Sequence, residues 1–259
     1  MIVNPHRIET ENFGDIASSP LKFFDFKETS TMEVEITNMK EEDLLDNHII
    51  VGGGGLLDNM YFFSNIVKLC ELKQSGKIKS LTFWGVGTNA HFDEKDCMSL
   101  YNNSKSEKII SVADLKGIRD RSTTYEYVPC VTCMDPSFYK YVGNQPKHKE
   151  IYYEHHHRKL PIFEDFHEYE IPIMRNDQPK TIREAVDFLS SGETVFTNTF
   201  HGAYWALLLG RKVVCKPFST KFDSLDTSVE RQSPSLDYLD ECRQKNIKFY
   251  ERTIEKYDT

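Results

Sequence analysis

The sequence predicts an α/β protein built from two Rossmann-like, doubly wound domains. Short apolar strands alternate with helical patterns in both halves of the chain, and glycine-rich loops follow several of the strands. Residues 194–217 form a complete strand–helix–strand unit, whose two strands should run parallel. The polar stretch 143–149 is typical of a linker. We therefore expect domains at residues 1–146 and 147–259, with the active site in the cleft between them.

In the first half, four short apolar segments are predicted to be strands. Between the first two, Asp58 or Asn59 is expected to cap a helix that Gly76 ends. Residues 85–89 are expected to form a turn, and another helix is expected to begin at residues 119–122. The predicted strands are residues 48–51, 81–84, 109–112 and 131–134.

The second half is predicted to open with a strand at residues 151–154. Thr181 and Glu184 have the spacing of a capping box, for a helix that ends near Ser190. Residues 235–257 have a helical period, and we expect this last helix to pack back across the first domain.

His201 is the histidine best placed for chemistry. Residues 194–197 are predicted to be a buried strand, residues 202–209 a helix that Gly210 stops, and residues 211–215 the next strand. His201 lies where the first of these strands becomes the helix. Ligands bind at the carboxyl ends of parallel strands, and a helix N-terminus offers N–H groups to an anion. The alternative is a half-buried histidine with a structural role.

Composition excludes several classes of protein. The 259 residues carry a net charge of −8 with 39% hydrophobic residues, enough for a substantial core. There is no basic run, so we expect no nucleic-acid partner. No apolar run approaches the roughly 20 residues that span a bilayer, and the first residues lack the apolar core of a signal peptide. A soluble, cytoplasmic protein is the expectation.

Two further groups of residues are candidates for anion binding. The four-glycine loop at residues 52–55 lacks the ending of a P-loop, but it lets a ligand approach the backbone closely. Arg119 and Arg121 flank Asp120, either as a solvated ion pair or as a guanidinium aimed into the cleft. Lys221 follows the last predicted strand near the same rim.

The sequence gives little support for a metal site. Cys130 and Cys133 form one CxxC without a second pair, which favours buried thiols over zinc ligands. The histidines at 155–157 follow a strand, where successive side chains point to opposite faces, so all three cannot bind one ion. One of them, His155, is expected to line the cleft.

A set of short motifs keeps a fixed order from about residue 12 to residue 249. The motifs are residues 12–15 (NFGD), 51–57 (VGGGGLL), 84–89 (WGVGTN), 117–122 (GIRDRS), 133–136 (CMDP), 199–202 (TFHG), then Gly210, Pro217 and Lys221, and the tail 239–249 (LDECRQKNIKF). In order and spacing, this set resembles the polysaccharide pyruvyl transferase family.

The resemblance implies a fold similar to the two-domain GT-B glycosyltransferases. It also implies transfer of pyruvate from phosphoenolpyruvate to a sugar of a bacterial-type surface polysaccharide, such as a capsule, an exopolysaccharide or a cell-wall precursor. The product would be a cyclic ketal, with phosphate released. Phosphoenolpyruvate is then a co-substrate, and neither a cofactor nor a metal is expected. The sequence leaves open whether the chain forms a homo-oligomer and whether the acceptor is lipid-linked, which would bring the protein to the inner membrane face.

Roles for individual residues follow from the resemblance together with the local patterns. His201 is the expected general acid–base, with Asp15 or Asp120 deprotonating the acceptor or orienting a neighbour. Arg119 and Lys221, which match donor-site residues of the family, are expected to hold phosphoenolpyruvate.

The donor site departs from the family at Thr199, where many members have arginine. One cation expected near phosphoenolpyruvate is therefore missing, although Thr199 and Gly202 are still expected to contact it. The remaining predicted site residues are assigned to acceptor binding. They are Asn12, Gly14, Gly53, Gly54, Gly87, Asn89 and His155.

Two other functions are consistent with the same sequence. A GT-B glycosyltransferase with a nucleotide-sugar donor would share the cleft and the glycine loops. A binding module with a degenerate site would explain the threonine at position 199. Release of phosphate from phosphoenolpyruvate distinguishes the pyruvyl transferase from both.

Overall fold

The computed structural model describes residues 1–27, 29–92, 105–121, 124–158, 170–225 and 236–257. It contains a seven-stranded sheet and a four-stranded sheet, and every described strand pair is parallel. This confirms the α/β class. The strands are β1 (Ile2–His6), β2 (Thr31–Glu35), β3 (His48–Val51), β4 (Gly54–Leu57), β5 (Ser80–Thr88), β6 (Leu115–Ile118), β7 (Glu126–Tyr127), β8 (His148–Glu154), β9 (Ile173–Arg175), β10 (Gly192–Thr197) and β11 (Lys212–Cys215).

The first sheet has the order β2-β1-β3-β5-β6-β7, and β4 pairs with the C-terminal part of β5. The second has the order β11-β10-β8-β9. Helices cover both sheets. They are Phe13–Ile16, Glu41–Leu44, Met60–Gln74, Lys105–Val112, Ser137–Tyr141, Ile182–Ser190, Phe200–Leu208 and Leu236–Tyr257. None of these described helices combines the length and the apolar character that a membrane crossing requires.

The predicted boundaries of one helix in each half are confirmed. Asn59 is the N-cap of Met60–Gln74, where its side chain accepts a hydrogen bond from the Tyr61 N–H, and Gly76 follows the helix with a φ of +70°. The Thr181 hydroxyl accepts from the Glu184 N–H at the start of Ile182–Ser190. These contacts are local, so the sequence alone predicts them.

The strand–helix–strand unit of the second sheet is confirmed as well. β10 and β11 pair in parallel from Thr194 opposite Lys212 to Thr197 opposite Cys215. All nine residues of the helix Phe200–Leu208 between them are buried, and Gly210 then turns the chain with a φ of +68°. The helix is thus a core element that fixes the position of its first residues.

The last helix, Leu236–Tyr257, packs into the hydrophobic cores beside both sheets. Its first turns place Tyr238 and Leu239 in the core of the second sheet. Farther along, Phe249 packs with Trp84 of the first sheet, and the Asn246 side chain accepts a hydrogen bond from the Trp84 indole at 2.8 Å. The division of the chain into two domains stays a prediction.

Two predicted strands are wrong. Residues 109–112 belong to the helix Lys105–Val112, and residues 131–134 form a 3-10 helix. A short, mostly apolar segment of four residues does not distinguish a buried strand from the inward face of a helix. The predicted helix start at 119–122 is also wrong for residues 119–121. They lie in a loop after β6, and Ser122 is outside the described residues.

The predicted turn at residues 85–89 is largely strand. β5 continues to Thr88, although Gly85 has a φ of +61° and the pairing with β6 shifts between Trp84 and Val86. β4, which arises inside the glycine loop, was not predicted, and neither were β1, β2, β6, β7 and β9. The glycines hide this strand because their propensity disfavours it.

Candidate active site

A cavity of about 700 Å³ lies at the carboxyl ends of the strands. Segments that follow β1, β3, β5, β6, β8, β10 and β11 all contribute to its lining, so both sheets supply residues. Nine of the predicted site residues line it: Asn12, Asp15, Gly54, Asn89, Arg119, His155, Thr199, His201 and Lys221. The other five predicted site residues do not line the cavity and lie behind the residues that do. They are Gly14, Gly53, Gly87, Asp120 and Gly202.

The hydrogen bonds of His201 fix which nitrogen faces the chemistry. Its ring is buried, and Nε2 lies 3.1 Å from the Ser18 hydroxyl. That hydroxyl donates to the Gly14 carbonyl oxygen at 2.6 Å, so it accepts from Nε2–H. The network therefore assigns the lone pair to Nδ1, which lies 4.0 Å from the Asp15 carboxylate.

His201 is uncharged in the empty pocket. Burial, followed by the positive charges of Arg119 and Lys221, holds the pKa of His201 well below its usual value of 6.5. A bound anion would neutralise those two cations. We therefore expect ligand binding to raise the pKa of His201 and to prepare it for protonation.

Arg119 is a buried cation that makes no close ion pair with a carboxylate among the described residues, although its charge favours the ionised form of the neighbouring Asp120. Only 2% of the residue is exposed, its guanidinium stacks 3.9 Å from the centre of the Phe200 ring, and its Nε has no hydrogen-bond partner. A charge of this kind is costly to bury unless a ligand compensates it. Arg119 thus marks an anion-binding position on the pocket wall.

Lys221 and Arg158 add further positive charge to the pocket lining. The Lys221 ammonium lies 4.4 Å and the Arg158 guanidinium 4.6 Å from the centre of the Phe218 ring. Burial, aided by the charges of Arg119 and Arg158 and opposed by Asp15, lowers the pKa of Lys221 to about 8. The lysine is therefore a cation at neutral pH that an anion would stabilise.

Thr199 is engaged in capping a helix. As the N-cap of Phe200–Leu208, its hydroxyl accepts from the Gly202 N–H at 2.9 Å and bonds the Thr197 hydroxyl at 3.1 Å. The Gly202 amide is consequently satisfied within the protein. Gly202 has a packing role instead, because a Cβ there would lie 2.5 Å from the hydroxyl oxygens of Thr197 and Thr199.

The glycines behind the wall make room for the reactive side chains. A Cβ on Gly87 would lie 2.5 Å from Arg119 Nε, and one on Gly53 would lie 2.9 Å from Ser18. A Cβ on Gly14 would overlap the His201 ring. The glycine motifs therefore act through the positions of these side chains.

Asp120 also lies behind the wall. It accepts a hydrogen bond from the Thr88 N–H at 2.6 Å, and burial raises its pKa to about 6. This holds the end of β5 close to Arg119. Asp15, by contrast, lines the pocket and is oriented by the Asn12 amide, which donates to it at 2.8 Å.

One ring nitrogen of His155 is hydrogen-bonded to the backbone. Its Nδ1 accepts from the N–H groups of His157 and Arg158, both at 3.2 Å. Burial, with the charge of Lys221 next, lowers the pKa of His155 to about 3. A neutral His155 thus shapes the turn after β8 and offers its ring face to the pocket.

Two residues of the site were missed from the sequence. Ser18 is a serine among small residues with no motif of its own, so no sequence signal marks it. Arg158 could have been found, because it follows the predicted strand at 151–154 and so belongs at the carboxyl edge of the sheet.

A sequence model of a protein family, described as polysaccharide pyruvyl transferase, matches residues 4–217. The chain belongs to the polysaccharide pyruvyl transferase family. Membership in this pyruvyl transferase family implies a transferase that acts on polysaccharide. The match includes Arg119 and His201, whereas Lys221 lies beyond it. Searches of curated proteins and of solved structures found no match to the chain.

The contact between Gly14 and His201 gives a first prediction. Gly14→Ala should displace the imidazole, because the added Cβ would overlap the ring. We expect turnover to fall at least about tenfold, since misplaced catalytic groups lose rate steeply. Steady-state kinetics, with the melting temperature as the control for folding, would check this. Unchanged turnover in a folded variant would show that the ring position near Gly14 does not matter.

Proposed function

We propose that this protein transfers pyruvate from phosphoenolpyruvate to two hydroxyls of a sugar in a surface polysaccharide or its precursor. The product is a cyclic ketal, and phosphate is released. The observation that carries the proposal is the buried charge of Arg119, which makes no close ion pair with a described carboxylate and lies close enough to His201 to help depress its pKa, in a member of this family. Phosphoenolpyruvate, with a carboxylate and a phosphate, supplies the charge that this pocket lacks.

The cations that line the pocket are sufficient for the two anionic groups of the donor. Arg119 presents a planar guanidinium suited to bidentate contact with one group. Lys221 and Arg158, both on the Phe218 ring, suit the other. Arg158 thereby supplies the cation that the family's arginine would provide at position 199.

The proton transfers can be assigned to His201 and Asp15. His201, protonated once the donor is bound, gives the proton on Nδ1 to C3 of phosphoenolpyruvate, which makes C2 electrophilic. The first acceptor hydroxyl adds to C2, and Asp15 takes its proton and returns it to Nδ1, 4.0 Å away. The bond between C2 and the phosphate oxygen breaks, and the second hydroxyl closes the ketal. Its proton leaves with the phosphate, so the charges balance.

Binding of the donor tests this function without knowledge of the acceptor. Thermal unfolding with saturating phosphoenolpyruvate should show stabilisation, about 2.7 kcal/mol at 100 times the dissociation constant. Nucleotide-sugars at the same concentration should produce no shift, and Arg119→Gln should abolish the shift. A shift with a nucleotide-sugar alone would contradict the proposal and favour a glycosyltransferase.

Lys221 makes donor binding dependent on pH. Its pKa of about 8 means that the ammonium is charged below pH 8 and loses its proton above it. We expect the affinity for phosphoenolpyruvate to fall above pH 8 by at most about tenfold per pH unit, because one proton is linked to binding. Calorimetric titrations between pH 7 and about 9.5 would measure this in proteins that also carry His201→Asn, so that the proton taken up by His201 on binding does not contribute.

The matched control is Lys221→Arg, which keeps its charge throughout this range. In that variant the affinity should not change with pH. A dependence that persists in Lys221→Arg would show that another group is responsible.

A further inference from the structure

We propose that Glu11, His156 and His157 form a binding site for a divalent transition-metal ion at the mouth of the pocket. Their ligand atoms all lie within 4.8 Å of one another. The Glu11 carboxylate is 3.6 Å from Nε2 of His156 and 3.5 Å from Nε2 of His157. Two imidazoles and one carboxylate are a donor set that zinc accepts, with a position left open for a further ligand.

The turn after β8 is what brings the two histidines together. The strand ends at Glu154, so the alternation of side chains that we expected through residues 155–157 does not apply. His155 Nδ1 holds the turn by accepting the N–H groups of His157 and Arg158. The rings of His156 and His157 consequently lie side by side, with their centres 3.9 Å apart.

His156 is held in the form that binds a metal. Asn176 Oδ1 accepts the backbone N–H of His156 at 2.8 Å, which identifies this atom as the oxygen of the amide. The same oxygen lies 2.7 Å from His156 Nδ1, so Nδ1 must carry the proton and donate it. In the neutral ring the lone pair is then on Nε2, the nitrogen that faces Glu11. Metal-bound histidines are oriented in this way by a hydrogen bond at the other nitrogen.

A chain of hydrogen bonds joins this group to the proposed catalytic residues. The Asn176 amide donates to Asn12 Oδ1 at 3.0 Å, and the Asn12 amide donates to Asp15 at 2.8 Å. Asn176 is 1% exposed, so the chain is shielded from water at its centre. A metal ion on His156 would thus fix the orientation of Asp15 through the side-chain amides of Asn176 and Asn12.

An ion pair between Glu11 and a protonated histidine is the competing explanation. Glu11 and His157 are largely exposed, and exposed ion pairs contribute little. Such a pair is compatible with the proton on His156 Nδ1, because a protonated imidazole carries a proton on both nitrogens, but it would bind no metal. The two explanations therefore differ in a direct measurement.

Titration of the metal-free protein with Co²⁺, followed by visible absorption, tests the site. We expect one ion per chain with the intense bands of a low-symmetry site, displacement by Zn²⁺, and no competition from Mg²⁺ or Ca²⁺. His156→Ala and Glu11→Gln should lose the bands. His148→Ala, a histidine at the start of β8 that does not line the pocket, should keep them. Absence of the bands, or their persistence in His156→Ala, would overturn the proposal.

Asn176→Leu separates the metal site from a simple ion pair. It removes the acceptor for Nδ1–H without touching the ligands, and we expect the affinity for Co²⁺ to fall about 10- to 100-fold. An unchanged affinity in the folded variant would show that His156 is not oriented by Asn176. Both titrations are made without phosphoenolpyruvate, so their outcome does not depend on the proposed transfer reaction.

Discussion

Replacement of His201 with asparagine should lower turnover by at least about 100-fold, because the proton transfer to C3 loses its donor. The side chain is buried but takes part in no ion pair closer than its 4.0 Å approach to Asp15. Binding of phosphoenolpyruvate should therefore persist, since Arg119 and Lys221 remain. Release of phosphate in the presence of acceptor measures turnover, and calorimetry measures binding.

The control for this variant is His48→Asn. His48 is a half-buried histidine of the first sheet whose Nδ1 lies 2.8 Å from the Ser80 hydroxyl, and it does not line the pocket. We expect it to retain turnover. Near-normal turnover in His201→Asn would refute the assignment of His201 as the proton carrier.

Substitution of Arg119 should abolish donor binding while leaving the empty protein as stable or more stable. Removing one partner of a buried charge pair costs about 2–5 kcal/mol, a loss of affinity of at least about 30-fold. In the absence of ligand, however, Arg119 is a buried charge that no described carboxylate pairs, so Arg119→Met removes an unfavourable burial. Chemical denaturation without ligand and calorimetry with phosphoenolpyruvate give the two quantities.

Arg119→Lys distinguishes charge from geometry. Lysine keeps the charge but cannot make bidentate contacts or stack in the same way on Phe200, so affinity should stay low. A large loss of stability in Arg119→Met with affinity for phosphoenolpyruvate retained would show that Arg119 is structural.

The parts of the fold that the sequence predicts correctly are those set by local chemistry. The unit at 194–217 is recognisable because a buried strand, an all-apolar helix and a stop at Gly210 follow one another. Residues 109–112 are mispredicted because their apolar run is the inward face of a helix that packs on the helix Met60–Gln74, a tertiary contact that no local pattern encodes. β4 is hidden by glycines for a related reason: its pairing with β5 outweighs its propensity.

The residues of the site can likewise be divided into those that the sequence predicts and those that only the folded structure identifies. His201 could be predicted because the carboxyl edge of a parallel sheet is a general binding position. The burial of Arg119 without a close ion pair could not be predicted, since it depends on which side chains surround the guanidinium in the folded protein. The glycines at 14 and 87 were predicted as site residues, but the reason for their presence lies in the packing of His201 and Arg119 against them.

The sequence could not predict that the rings of His156 and His157 lie side by side, because this depends on a turn stabilised by the ring of His155. A run of histidines gives no indication of where its strand ends. Ser18 likewise acquires its role only when residues 183 positions apart meet.

The most direct test of the proposed reaction follows the carbon atoms of the donor. Phosphoenolpyruvate carrying ¹³C at C3 would be incubated with the protein and with polysaccharide extracted from a deletion strain of the source organism. The account predicts a ¹³C-labelled methyl group of a pyruvate ketal in the polysaccharide, an equimolar release of phosphate, and neither product with His201→Asn. Absence of label from the polysaccharide, while the protein binds phosphoenolpyruvate and the same strain regains its ketal when the gene is restored, would contradict direct transfer by this protein.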